Sequence, residues 1–314
     1  ILHALNFSSS ITVKLQKAGT VPLLDALLNH LQITRLTRKM IEAYATIGEC
    51  QPLFELLSSE QQPQLEKYTY DRGLIDLLHD YPGVLRDPAD LVAMLPRLAP
   101  RLYSISSSPA AHPGQIHTTI AVVRYRAHNR ERGGVCSTLL ADRRDAGQTL
   151  PMYIHPNKRF RLPRDGSTPM IMIGPGTGIA PFRSFLHERR ALNHTGKNWL
   201  FFGERSASTD FLYREELESM YSDGHLTRLD LAFSRDQEQK IYVQNRMTEN
   251  GRELFNWLEQ GASVYVCGDA SRMAKDVDAA LHAIVEKHGH QNPDAAGNYV
   301  QMLKDQHRYH RDVY

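Results

Sequence analysis

The stretch M-I-M-I-G-P-G-T-G-I-A-P at residues 170–181 decides the fold class. An apolar run stops abruptly at three glycines spaced two apart, Gly174, Gly176 and Gly178. Such a run suits a strand buried on both faces, and another begins at residue 198. Glycines after a strand let the main chain turn sharply and approach a ligand with no Cβ in the way. Residues 179–192 read as a helix, so its free N–H groups point back at the loop. Strand, glycine loop and helix N-terminus together form an anion site, usually for a pyrophosphate. The alternative is an ordinary tight strand-to-helix turn. The G-x-G-x-x-G fingerprint would need glycine where Ile179 stands, and no acid is clearly placed for a ribose at the end of the second strand.

Downstream of residue 168 the pattern alternates. Strands are expected at 170–173, 198–202, 227–233, 263–267 and 309–313, and helices at 179–192, 213–221, 244–249, 252–259, 272–287 and 294–304. This rhythm implies a doubly wound, five-stranded parallel sheet, which binds ligands at the carboxyl ends of its strands. Upstream, residues 22–98 read as helices, with an apolar stripe of Leu23, Leu24, Ala26, Leu27, Leu28 and Leu31, and Thr37 placed to cap a helix at 38–46. No spacing there suggests catalysis. From Pro100 the period shortens towards two, so 101–106, 116–126 and 152–154 read as antiparallel strands. R-G-G-V-C-S at 132–137 is a glycine turn into a short helix at 138–141.

At 314 residues the chain has room for two cores, and 41% hydrophobic with 23% charged residues is ordinary globular composition. A net charge of +2 gives no reason to expect nucleic acid. Cys50, Cys136 and Cys267 are odd in number and far apart, which argues for a reducing compartment and against disulfides or a metal site. No apolar run approaches the ~20 residues of a membrane span. No signal peptide is visible and the chain begins at Ile1, so an N-terminally incomplete chain is expected.

Three further groups carry chemistry. Ser234-Arg235 ends the third strand and K-I-Y-V-Q follows at 240–244. Two cations, a hydroxyl, a phenol and an amide suit a phosphate dianion with a ring stacked beside it, and a cationic 2′-phosphate site favours NADP over NAD. A solvated charged loop is the alternative, because Asp236, Glu238 and Gln239 lie among them. Cys267 ends the fourth strand, near the ligand crevice, although a buried cysteine is also a common small hydrophobe. No histidine stands near it in sequence, so it is not read as a covalent nucleophile. In R-L-Y-S at 101–104, Arg101 and Tyr103 share one strand face and suit a phosphate and a flat ring, with an exposed strand face as the alternative. The Gly133-Gly134 turn is a second anion site.

Together and in this order, R-L-Y-S, G-G-V-C-S at 133–137, G-P-G-T-G-I-A-P-F at 174–182, S-R with K-I-Y-V-Q, V-C-G-D at 266–269 and a terminal D-V-Y resemble the ferredoxin–NADP⁺ reductase-like module of diflavin reductases. The resemblance covers essentially the whole chain. It implies an α/β plus β architecture: an antiparallel FAD-binding β-barrel with an inserted helical connecting domain, then the doubly wound NADP-binding sheet. The implied boundaries are 1–21 for a remnant of the barrel region, 22–100 for the helical insertion, 101–165 for the barrel and 166–314 for the NADPH domain.

The resemblance also assigns roles. Arg101, Leu102 and the turn Gly134, Val135, Cys136 and Ser137 would hold FAD, with Tyr103 stacked on the flavin and Ser104 near its N5. Thr119, Ile120 and Ala121 would line the flavin edge, with Tyr125 and Thr37 also touching FAD and Tyr314 covering the opposite flavin face. Gly174, Gly176, Thr177 and Gly178 would take the NADPH pyrophosphate. Ser234, Arg235, Lys240, Ile241, Tyr242, Val243 and Gln244 would surround the 2′-phosphate, and Asp276 would contact the nucleotide. Ser104, Cys267, Asp312 and Tyr314 would form the catalytic group, without a metal. The implied cofactors are FAD and NADPH, with FMN on a flavodoxin-like domain that this chain is expected to lack. The implied partner is a hemoprotein subunit, in a cytoplasmic, oligomeric enzyme that engages neither nucleic acid nor membrane. The rival readings are another diflavin reductase serving a different haem acceptor, and a truncated, non-catalytic nucleotide-binding scaffold. A single-flavin reductase fits less well, because it needs only a short connection where residues 22–100 stand.

Overall fold

Met170–Ile173, wholly buried, is the middle strand of a five-stranded parallel sheet in the computed structural model, which describes residues 1–314. The strands are β1 Met170–Ile173, β2 Asn198–Glu204, β3 Arg228–Phe233, β4 Ser263–Gly268 and β5 Tyr309–Val313. Their order across the sheet is β3-β2-β1-β4-β5, and all neighbours are parallel. The chain winds outward from β1 through β2 to β3, then returns to the other side of β1 for β4 and β5. This reversal opens a crevice at the carboxyl ends of β1 and β4.

Each of the three central strands, β2, β1 and β4, feeds two cores. Ile171, Ile173, Trp199, Phe201, Val264 and Val266 enter one, while Met170, Met172, Leu200, Phe202, Tyr265 and Cys267 enter the other. A strand covered on both faces has no polar positions, which is why these segments are continuous apolar runs. The helices are α1 Ala180–Ala191, α2 Arg214–Ser222, α3 Val243–Glu249, α4 Gly251–Glu259, α5 Met273–His288 and α6 Pro293–Asp305, each close to its expected place. Arg189 of α1 is fully buried without a carboxylate partner. It donates to the Thr168 carbonyl from both terminal nitrogens and to the Gly166 carbonyl from Nη2, each at 3.0 Å, and burial lowers its pKa.

Contacts divide the chain into two units, and this sheet belongs to the one formed by Leu102–Ala121 and Leu150–Tyr314. Its first segment is held by Arg183 of α1, which donates to the Ser106 carbonyl at 2.8 Å and grips both oxygens of Glu216 at 2.8 Å. His187 donates a further 3.0 Å bond to Glu216 if Nε2 carries its proton. Burial opposes the Glu216 charge, but the hydrogen bonds from His187 and Arg183 outweigh it and hold the carboxyl at about 2.

The antiparallel strands expected at 101–106 and 116–126 are much shorter in the structure. What forms is a single bridge, Ile105 to Thr118, and the strand Arg124–Ala127. Residues 152–154 form no strand at all. Pro151 and Pro156 bracket them, no neighbouring strand pairs with them, and Met152 is 72% exposed.

The other unit comprises Ile1–Arg101 and Val122–Thr149. Its core gathers Leu23, Ala26, Leu27, Leu31, Met40, Ile41, Tyr44 and Leu74. Leu24 and Leu28 of the expected stripe lie outside it and are exposed, and Leu28 sits within the π turn Ala26–His30, which departs from the 3.6-residue period. Thr37 caps Arg38–Gly48, accepting from the Met40 N–H at 3.3 Å. The strand Arg124–Ala127 pairs with Arg130–Gly133 through His128 and Asn129, both with positive φ, as a two-residue hairpin turn requires. Buried Asp76 accepts from the Gly73 N–H at 2.8 Å and from Arg132 at 2.7 Å, and Arg130 also reaches it. A second ribbon pairs Thr12–Leu15 with Gly19–Pro22. No helix in the chain is long and apolar enough to cross a membrane.

Candidate functional site

The glycine loop leaves β1 as one 3₁₀ turn, Gly176–Ile179, and runs directly into α1. Gly176 has φ +56°, which disfavours a side chain. A Cβ on Gly178 would stand 2.2 Å from the Cys267 carbonyl oxygen, so β4 leaves room for glycine alone. A Cβ on Gly174 would meet the Gly178 carbonyl oxygen at 2.6 Å. The loop therefore lies flat against the carboxyl end of β4. The first N–H groups of the turn have no intrahelical acceptor and sit at the positive end of the helix dipole.

β2 and β3 build the neighbouring rim. The Ser234 N–H donates to the Glu204 carbonyl at 2.9 Å and the Arg235 N–H to the Arg205 carbonyl at 2.8 Å, so the ladder continues past both strands. The nearest acid, Asp236, is occupied. It accepts from Ser206 Oγ at 2.6 Å and the Ala207 N–H at 2.9 Å, and these bonds hold its carboxyl below the usual range. Arg235 and Lys240 are exposed. Tyr242 precedes α3, is 45% exposed, and donates its N–H to Asn245 Oδ1 at 2.8 Å. Ile241 and Val243 instead pack on the core, so their side chains anchor the loop. Gln244 Nε2 donates to Asp276 Oδ2 at 3.3 Å, bringing two of the expected nucleotide residues together.

β4 and β5 carry the remaining groups. Cys267 is fully buried and in register with Asp312. Burial, aided by the Asp312 charge and opposed by a hydrogen bond with Ser104, pushes its thiol up to about 12, so it is a neutral thiol rather than a nucleophile. Ser104 Oγ donates to Asp312 Oδ2 over a long 3.4 Å. The Tyr314 N–H donates to the Gly268 carbonyl at 3.1 Å, and its hydroxyl shares a 3.1 Å bond with Thr177 of the glycine loop. Burial raises the Tyr314 pKa, against the bond with Thr177, yet the residue remains 64% exposed. Ser104, Cys267, Asp312 and Tyr314 are thus linked to one another and to the loop.

An oxidoreductase NAD-binding domain matches residues 172–279, and an FAD binding domain matches residues 6–139. Both domains are thus present in the one chain. It is 46% identical over 315 residues to the sulfite reductase [NADPH] flavoprotein alpha-component of Bacillus subtilis, covering 100% of this chain and 52% of that protein. The proteins of the same name from Yersinia pestis and Klebsiella pneumoniae are each 45% identical, over 94% of this chain and 48% and 49% of their own lengths. The chain spans about half the length of the curated relatives it matches. The matched domains support FAD and a nicotinamide dinucleotide as the groups this chain holds.

The donor set fits a dinucleotide. The loop has no room for a Cβ at Gly174 or Gly178, and the Ser234–Gln244 rim supplies cations and a phenol. Of the residues expected at FAD, Thr37, Arg101, Tyr125 and 134–137 lie in the helical unit, and 102–104 and 119–121 in the other. In the helical unit, the Gly134 N–H donates to the Val123 carbonyl at 2.9 Å and Ser137 Oγ accepts from the Val123 N–H at 3.2 Å. Val135, Cys136 and Ser137 form the first turn of Val135–Asp142, a helix that begins three residues earlier than expected. Tyr125 lies opposite Arg132 on the hairpin, Thr37 uses its hydroxyl as a cap, and Arg101 donates to the Ala99 carbonyl at 2.6 Å. In the nucleotide unit, Leu102 and Ala121 are exposed, Tyr103 and Ile120 are half-buried, and Thr119 Oγ1 shares a 2.6 Å bond with the Tyr213 hydroxyl.

The structure corrects one expectation and adds two residues. β2 runs two residues beyond its expected end, so the second strand does terminate in an acid, Glu204. Its Oε2 accepts from the Arg205 N–H at 2.7 Å, and its Oε1 lies 3.4 Å from where a Gly176 Cβ would be. Arg205 joins the rim by its contact with Arg235. Asn157 donates to Asp312 Oδ1 at 3.2 Å from an irregular segment that carries no periodic signal.

Proposed function

We propose that this chain binds NADPH across the carboxyl edge of its sheet and delivers the hydride of NADPH to FAD. The observation that carries this reading is the pairing of a loop whose Gly174 and Gly178 have no room for a side chain with a rim carrying Arg235 and Lys240, beside which Asp236 is already hydrogen-bonded. When bound, FAD accepts two electrons as hydride and releases them singly. The chain's own residues do the rest by position. The turn at 174–178 holds the pyrophosphate, Arg235 and Lys240 the 2′-phosphate, and Tyr242 stacks on the adenine. Arg101 and the Gly134–Ser137 turn hold the pyrophosphate of FAD. Tyr314, fastened at its ring by one hydroxyl contact, yields to the incoming nicotinamide. Asp312 keeps a negative charge near the ring, Ser104 a hydroxyl proton, and Cys267 a neutral, dry surface.

The two antiparallel ribbons are read as parts of an FAD-binding barrel, with residues 22–100 as its helical insertion and 166–314 as the NADPH domain. In the longer protein, electrons pass to an FMN-binding flavodoxin-like domain and on to a hemoprotein subunit that reduces sulfite for cysteine biosynthesis in the cytoplasm. The resemblance to three flavoprotein components of that name supports this acceptor.

The rim provides the test. Replacing Arg235 and Lys240 together by Ala removes two charge-assisted contacts and is expected to weaken NADPH binding about a hundredfold. Titration calorimetry should show NADH binding changed less than about threefold by the same substitutions. Equal losses for the two nucleotides would overturn the assignment.

A further inference from the structure

The two oxygens of Asp312 are held unequally. Oδ2 faces Ser104 at 3.4 Å, near the limit of a hydrogen bond, whereas Oδ1 takes a 3.2 Å bond from Asn157 Nδ2. The Asn157 carboxamide is not free to turn. Its oxygen accepts from the Arg159 N–H at 3.1 Å and the Phe160 N–H at 3.2 Å, which directs its amino group at Asp312. The turn is itself anchored. Phe160 is buried with its ring edge-to-face on Tyr265 of β4 at 5.4 Å, and the Arg159 carbonyl bonds to His310 of β5 at 2.9 Å. The groups that face the Asp312 carboxylate are Ser104, Asn157, the Cys267 thiol and the Tyr314 phenol.

We propose that Asn157 is a positioning residue for hydride transfer, an inference that rests on the function proposed above. Its carboxamide, aimed by the main chain, holds the Asp312 carboxylate between Ser104 and Cys267. When hydride leaves the nicotinamide C4 of NADPH for the bound flavin, two electrons and one proton depart together and the ring becomes cationic. A carboxylate already oriented stabilises that charge without reorganising, whereas a freely rotating one does not. Asn157 touches no reacting atom and acts only through Asp312.

Asn157→Asp separates this role from a purely structural one. The new side chain keeps an oxygen for the Arg159 and Phe160 N–H groups but presents a repelling carboxylate to Asp312. Stopped-flow reduction of the FAD-loaded chain by NADPH is expected to slow about tenfold, with the NADP⁺ dissociation constant within about twofold of wild type. The isotope effect with NADPH deuterated at C4 should persist or rise. Adding Asn157→Asp to Asp312→Asn should slow the reaction no further. A wild-type rate in Asn157→Asp, or additive losses in the double variant, would mean that Asn157 serves only its turn. The chain without flavin or nucleotide gives an independent readout. The side-chain amide signals of Asn157 in ¹H–¹⁵N spectra should move on Asp312→Asn, and unmoved signals overturn the proposal whatever the activity. If wild-type protein loaded with FAD is not bleached by NADPH, the functional reading fails instead, while the amide signals still decide the contact.

Discussion

Two glycine turns lead into helices, one in each unit, and they are constrained by different matter. At Gly178 the obstacle to a Cβ is main chain, the Cys267 carbonyl oxygen at 2.2 Å, while at Gly174 it is both the Phe182 ring at 2.5 Å and the Gly178 carbonyl oxygen at 2.6 Å. At 133–134 the obstacles are mostly side chains: the Thr138 methyl 2.7 Å from Gly133, and the Ser137 hydroxyl 2.5 Å from Gly134. A carbonyl inside a sheet cannot retreat without breaking its ladder, whereas a hydroxyl can rotate. Burial follows the same division. α1 buries six of its residues, Ala180, Pro181, Phe182, Arg183, Leu186 and Arg189, while Val135–Asp142 buries Ser137 alone. The first turn is shaped by the fold before any nucleotide arrives. The second depends on its own few bonds and gains most from a bound ligand.

Gly178→Ala should break the first turn outright. The added methyl has no direction of escape, so a stability loss of about 3 kcal/mol in urea unfolding is expected, at the upper end for overpacking. Glu216→Gln probes the frame behind α1 and should cost about 2 kcal/mol near neutral pH, a figure discounted for the partial exposure of the pair. Its pH dependence has a definite sign. The folded carboxyl sits at about 2 against an ordinary 4.5, so its contribution is fully present above 4.5 and is lost as pH falls through 2. The melting temperatures of wild type and variant should therefore converge over that interval, and a constant gap would show that the charge is not what matters. Gly134→Ala should be mildest. Its φ of −64° suits alanine, Ser137 can turn aside, and reduced freedom of the unfolded chain offsets part of the strain, leaving a loss of about 1 kcal/mol or less. Equal losses at Gly134 and Gly178 would erase the distinction between the turns.

The parallel sheet was legible because double burial writes itself as uninterrupted apolar residues, and 309–313 was read to the residue. The antiparallel segments were not, because alternation along 152–154 states a preference that only a neighbouring strand can satisfy. The extension of β2 through Gly203 and Glu204 comes from pairing with Ala232 and Phe233 of β3, a tertiary effect that moved an acid to the strand end against expectation. The hairpin at His128-Asn129 lacks the glycine that announces such turns. In the site, the glycine loop and the cationic rim were visible as local composition. The meeting of Cys267, Asp312 and Ser104 required the register of β4 with β5 and a contact 208 residues apart in sequence. Their roles rested on resemblance, and Asn157 had neither signal.

Arg189 carries a consequence for how the nucleotide unit is held together. Its guanidinium lies on the helix after β1 yet bonds to Gly166 and Thr168, just before that strand. The crossover is thereby closed at its mouth, with the strand and the glycine loop enclosed between two fastened points. A charge so deeply placed is tolerable only when all three bonds are present, so the closure is cooperative. Strand, loop and helix are thereby tied by short-range contacts into one unit, and the ligand cradle lies inside it.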